Sequence, residues 1–243
     1  KPTDQVAYTP ACRDGAMKVL SLICQKGGTS KTTTAINLAV EAQANGIETV
    51  LIDLDPQVSA CDWKDIRGEA APTVASVVVS HLERTLKAAA ENGAGLAIID
   101  TAGRTNEAAT AAARVADLVL VPMQPSLVDL KTLQSTLDAI RASGNDVPVR
   151  VLLSRVKAAG SRHEDTTSWL EQAHMGVCPV MLGDRVTYQD AYARGQGVTE
   201  MEPSGKAAQE VKELYKYTWQ LLSNSTSRNP NGQQTQPSRS RVA

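Results

Sequence analysis

The chain has 243 residues and a formal net charge of -1, from 25 Lys+Arg against 26 Asp+Glu. That length supports one large domain or two small ones with a real core, while the charge balance excludes a global field for nucleic acid or membrane, so a polyanionic partner must be held by a local patch. Phe is absent and aromatics make up 3%, which makes the core aliphatic and argues against stacking platforms for single-stranded nucleic acid.

In chain order, residues 1–16 read as an extension or cloning remnant, because Met17 stands one residue before the first strand-like run. Short apolar runs follow at 19–24, 49–54, 96–100, 118–122 and 147–153, with a further short strand expected within 73–80. Each run is continuous rather than alternating, as in parallel strands buried on both faces. Ala-rich stretches with helical periodicity lie between them, at 31–45, 80–92, 105–115 and 126–142. Further helices are expected near 163–175 and 185–193, and a core-packing one at 206–222. This alternation predicts an α/β fold, a mostly parallel sheet with helices on both faces and right-handed crossovers. Residues 223–243 are almost without apolar content and are expected to form a disordered tail.

Cys12, Cys24, Cys61 and Cys178 form no CxxC pair and have no His at metal spacing, which fits a cytosolic chain with incidental thiols. No apolar run approaches the ~18 residues of a membrane span, and the N-terminus lacks a signal-peptide pattern.

The stretch "CQKGGTSKTTTAINLA" at 24–39 carries the first chemistry. Strand, Gly-bearing loop and helix N-terminus in that order let backbone N–H groups and the helix dipole converge on an anion. The usual phosphate-loop pattern, G-x-x-x-x-G-K-S/T, would place glycines at 25 and 30, where this chain has Gln25 and Ser30. Gly27 and Gly28 let the chain approach a phosphate closely, Lys31 can reach the terminal phosphates, and the Thr32 hydroxyl is placed for Mg²⁺. Thr29, Ser30 and Thr33 complete the candidate cradle. Two further runs end in carboxylates: "VLIDLDPQVSACDW" (50–63), with Asp53 and Asp55, and "LAIIDTAGRTNEAA" (96–109), with Asp100.

Lys26, five residues before Lys31, makes the loop resemble the deviant Walker A class, K-G-G-x-x-K followed by Ser or Thr. The chain is similar to the ParA/MinD-type ATPases over most of 17–222, since "LVLVPMQPSLVDL" and "MEPSGKAAQEVKEL" also look like segments of short ParA proteins. The resemblance implies a P-loop NTPase architecture that uses ATP and Mg²⁺. It implies that Lys26 reaches across a homodimer interface to the partner's nucleotide. Asp55 would orient the attacking water, with Asp53 supporting the metal's shell and Asp100 holding Mg²⁺ directly or through water. Gln25 is ordinary for this class, but Ser30 departs from it, because the family usually has Gly before the catalytic lysine. If the backbone there is near-helical, Ser costs little; if it needs positive φ, Ser strains the loop and slows turnover more than binding.

The resemblance also implies a DNA-partition role: an ATP-bound dimer holds double-stranded DNA nonspecifically, and a centromere-binding partner stimulates hydrolysis on a nucleoid-associated, cytoplasmic protein. The polar tail does not supply the membrane anchor of MinD-like relatives, and little precedes "MKVLSLI" that could form a helix-turn-helix. Candidate DNA contacts are Arg155, Lys157, Arg162, Arg185 and Arg194, although each also reads as a solvated charge and Arg155 as a neighbour of the base. Two other readings stay open: the same cycle serving a protein cluster or organelle, and a nucleotide-binding scaffold with little turnover.

Overall fold

The computed structural model describes residues 16–103 and 105–224. The expected N-terminal extension or remnant lies outside them except for Ala16, and the expected tail except for Ser223 and Asn224.

Six parallel strands form one sheet: β1 (Lys18–Leu22), β2 (Thr49–Asp53), β3 (Thr73–Ser76), β4 (Leu96–Asp100), β5 (Leu118–Met123) and β6 (Val149–Leu153), in the order β3-β2-β4-β1-β5-β6. The helices are α1 (Lys31–Ala44), α2 (Ser59–Arg67), α3 (Leu82–Glu91), α4 (Asn106–Val115), α5 (Leu127–Arg141), α6 (Arg162–Gln172), α7 (Thr187–Tyr192), α8 (Val198–Met201) and α9 (Lys206–Asn224).

The continuous apolar runs have a direct cause. Successive strand side chains point to opposite faces, and here both faces are covered. Val19, Ile52, Ile99 and Val121 pack on one side against α3 to α6, while Leu20, Leu51, Ile98 and Leu120 pack on the other against α1, α2 and α9. Alanines take the place of the missing phenylalanines: Ala108, Ala109, Ala112 and Ala113 let α4 lie close on the sheet.

The expected elements are found with shifted ends. β1 stops at Leu22, although Ile23 and Cys24 remain buried. The run at 73–80 resolves into the edge strand β3, and α9 extends two residues past its expected end. Helix α2 escapes a pattern search because only Ala60 and Trp63 are buried on it, too few for a periodic stripe. The four-residue α8 falls below the length at which periodicity can be read.

The strands run in one direction, so their C-terminal ends share one edge, and every chemistry-bearing run identified in the sequence ends there.

Candidate nucleotide-binding site

β1 leads into the loop Gln25–Ser30, and α1 starts at Lys31. No acidic residue occupies the first turn of α1, so its positive end is uncompensated. Neighbouring strand ends brace the loop. The Ser154 hydroxyl beyond β6 donates to the Thr29 carbonyl (3.0 Å), and the Gln124 amide beyond β5 donates to the Gly28 carbonyl (3.1 Å). Lys31 is buried, and its Nζ donates to the Lys26 carbonyl (3.2 Å). Gly27 to Thr33 form one wall of an open cavity of about 340 Å³, with Asp55 and Gly103 also on its lining.

Ser30 has φ 67° and ψ 24°, a left-handed conformation. Of the two backbones open to it, the loop therefore takes the costly one, by about 1 kcal/mol for a residue with a Cβ. Ser30→Gly is expected to stabilise the protein by about that amount and to raise turnover more than nucleotide affinity. Thermal unfolding and phosphate release measure the two effects.

Asp53 and Asp100 are register partners on adjacent strands, and both are buried. Asp53 is occupied by its own loop, accepting N–H groups from Asp55 (2.9 Å) and Ala60 (2.9 Å). Burial still raises its pKa, against these bonds. Asp53 thereby shapes the turn that carries Asp55 to the cavity, a turn that also forces Val58 to φ 49°. Asp100 accepts the Thr32 hydroxyl at 2.5 Å through Oδ2, while its Oδ1 is buried with no partner. Burial pushes its pKa to about 7; the Thr32 bond opposes this and the nearby Asp53 reinforces it. An orphaned carboxylate oxygen beside a hydroxyl is a donor set that suits a hard divalent cation such as Mg²⁺.

Lys26 stands off the cavity lining. It is ion-paired to Asp129, whose side chain is 1% exposed in the first turn of α5. Asp129 also accepts the Gln124 N–H (3.0 Å) and the Ser126 hydroxyl (2.7 Å). Burial works against ionisation here, but Lys26, Ser126 and Gln124 together hold its pKa below the usual carboxylate value. The sequence reading missed Asp129; its signal was the Ser126-x-x-Asp129 spacing of a helix start.

Behind Asp100 the chain returns to the loop. A Cβ on Gly103 would lie 3.0 Å from the Gly27 nitrogen and 3.2 Å from the Lys26 carbonyl carbon. Gly103→Ala should therefore push the phosphate loop out of register. We expect nucleotide affinity to fall by about ten-fold or more, with melting temperature changed far less, as isothermal titration and thermal unfolding would report.

Two of the five candidate DNA-contacting residues have partners or positions at the cavity. Arg155 and Arg185 line the candidate cavity. Arg155, at φ 51°, pairs with Asp184 (3.3 Å), and Arg185 pairs with Glu210. Lys157, Arg162 and Arg194 are exposed.

The CobQ/CobB/MinD/ParA nucleotide binding domain matches residues 20–198, and the chain belongs to that family. A ParA protein of Rhizobium radiobacter is 30% identical over 196 residues, which cover 76% of this chain and 87% of that one. The maintenance of carboxysome distribution protein A of Gloeobacter kilaueensis is 32% identical over 205 residues, covering 82% and 91%. Among solved structures, an ATP complex of a McdA variant from Cyanothece superposes with a TM-score of 0.69 at 16% identity, over 88% of this chain and 99% of that one, which shows the shared fold. The family is one of P-loop ATPases, and the relatives of this chain include partition and carboxysome-positioning proteins. No helix among the described residues is long and apolar enough to cross a membrane.

Proposed function

We propose that the chain is a Mg²⁺-dependent ATPase that dimerises on ATP, binds double-stranded DNA nonspecifically and hydrolyses ATP to segregate DNA. The observation that carries the chemistry is the convergence of four strand ends on the loop and the cavity that it lines. The loop after β1 supplies Lys31 and Thr32, β2 is followed by Asp55, β4 ends in Asp100, and β6 is followed by the bracing Ser154.

Lys31 and the loop N–H groups hold the terminal phosphates. Thr32 and Asp100 would hold Mg²⁺, with Asp53 supporting the surrounding turn. Thr32 and Asp100 would place it where it supplies neutralisation of charge on the phosphate oxygens. Asp55 orients the attacking water, and Lys26 contributes its charge from the facing subunit. Arg155, Lys157, Arg162 and Arg194 are the candidate contacts that are exposed, and they would meet DNA on a surface completed by the dimer. A cargo-bound partner that stimulates hydrolysis would release that dimer from the nucleoid.

DNA retention measured with ATP, ADP and no nucleotide over a salt series tests this reading. ATP-dependent retention that weakens steeply with salt is expected; retention indifferent to ATP would sink the DNA role. A second reading has its own support, because one relative at 32% identity distributes carboxysomes. In that case the same cycle moves a protein cluster over DNA, and the cargo-side partner is a protein of that cluster.

A further inference from the structure

Part of the cavity wall away from the phosphate loop is built by Gly183, Asp184, Arg185 and Tyr188. This segment is poorly anchored by apolar burial. Leu182 and Tyr188 are buried at its ends, but nothing from 183 to 187 is, and Val186 is 69% exposed. On one side the backbone is tied to Val156, which donates to the Leu182 carbonyl (3.0 Å) and accepts from the Asp184 N–H (2.9 Å).

On the other side the segment converges on one carboxylate, Glu210 of α9. Glu210 accepts the Gly183 N–H (3.0 Å), the Arg185 guanidinium through Nε (3.1 Å) and Nη2, and the Tyr188 hydroxyl (3.3 Å). Arg185 reaches it by folding back over Gly183, where a Cβ would stand 2.9 Å from Nε. Charge-assisted bonds of this kind are about twice as strong as neutral ones and fix direction as well as distance.

The same helix is packed against α1. Leu214, Tyr215 and Trp219 share a core cluster with Ala35, Leu38 and Ala42 of the helix whose first turn carries Lys31 and Thr32. α9 therefore touches both walls of the cavity, one by apolar packing and the other through Glu210.

We infer that Glu210 is a positioning residue for nucleotide binding: it sets the wall Gly183–Tyr188 at a fixed distance from the phosphate loop, so that the part of the nucleotide beyond the phosphates meets a preformed surface. The inference rests on the cavity being the nucleotide site. Its energetic basis is preorganisation, since a wall that must be ordered on binding subtracts that cost from affinity.

The test uses the full chain with Glu210→Gln, Arg185→Ala and the double variant. Dissociation constants for a fluorescent ADP analogue are measured alongside KM and kcat for ATP. Both single variants should raise the ADP dissociation constant and the ATP KM by about five-fold or more, with kcat at saturation changed less than about three-fold. The double variant should be no worse than the poorer single one, because both remove the same contact. A residue that merely supports the fold would lower the melting temperature and leave KM alone. Dissociation constants within about two-fold of the unaltered chain, or additive losses in the double variant, would overturn the proposal. Should Glu210→Gln fail to fold, Arg185→Ala carries the same comparison. Failure of the unaltered chain to bind the analogue would overturn the nucleotide reading of the cavity, and this proposal with it.

Discussion

Asp100→Asn is expected to raise the melting temperature of the nucleotide-free protein while abolishing Mg²⁺-dependent ATP turnover. The two effects share a cause. Asp100 is fully buried, one of its oxygens has no partner, and its pKa is driven from 3.8 to about 7. For an acid whose folded pKa lies above the unfolded one, stability falls as the pH rises between the two values, and the penalty is complete above the higher. At pH 8 it amounts to the order of 4 kcal/mol. Asn keeps the shape and can still accept the Thr32 hydroxyl, but it carries no charge to desolvate. The variant should melt roughly 5 °C or more above the parent at pH 8, converge with it near pH 4, and bind Mg²⁺·ATP weakly. Calorimetry over that pH range is the check. Equal slopes in variant and parent would remove Asp100 as the strained carboxylate.

Lys26→Ala should reduce turnover by about a hundred-fold or more, in the range by which a cation supplied in trans accelerates phosphoryl transfer. Nucleotide affinity should hold within a few-fold, because Lys26 is not on the cavity lining but is held by Asp129. The variant leaves Asp129 buried without its charged partner, a cost of about 3 kcal/mol or more, so turnover must be measured well below its melting temperature. A mixing experiment separates action in trans from action in cis. Lys26→Ala subunits keep Asp55, and Asp55→Ala subunits keep Lys26, so each mixed dimer holds one complete site. Equal mixing should restore about a quarter of parental turnover. If the mixture stayed as inactive as its components, Lys26 would not act across the interface.

The sheet and the phosphate loop were legible in the sequence because one physical pattern marks each. A strand buried on both faces must be apolar throughout, and a loop that lets its backbone close on an anion shows its glycines and lysines. Asp53, Asp55 and Asp100 were legible as carboxylates ending such strands. What stayed hidden depends on residues brought together from distant parts of the chain. Asp129 lies 103 positions from the Lys26 it holds, and Glu210 lies 25 from Arg185. Read alone, Arg185 was a cation fit for DNA; only folding reveals the carboxylate beside it. The backbone at Ser30 was equally undetermined, since its left-handed turn is set by where β1 must hand over to α1 rather than by Ser30 itself.

The strand order has a consequence for how the molecule unfolds. The candidate phosphate loop is tied to the ends of β4, β5 and β6 through Thr32–Asp100, Gln124–Gly28 and Ser154–Thr29. These strands lie on both sides of β1. A ligand seated on that loop therefore clamps β4, β5 and β6 around β1, and no partly folded form lacking one of these strands keeps a complete grip on it. Ligand binding should appear in amide exchange as slowed opening spread across the strand ends, rather than as a protected patch confined to the loop.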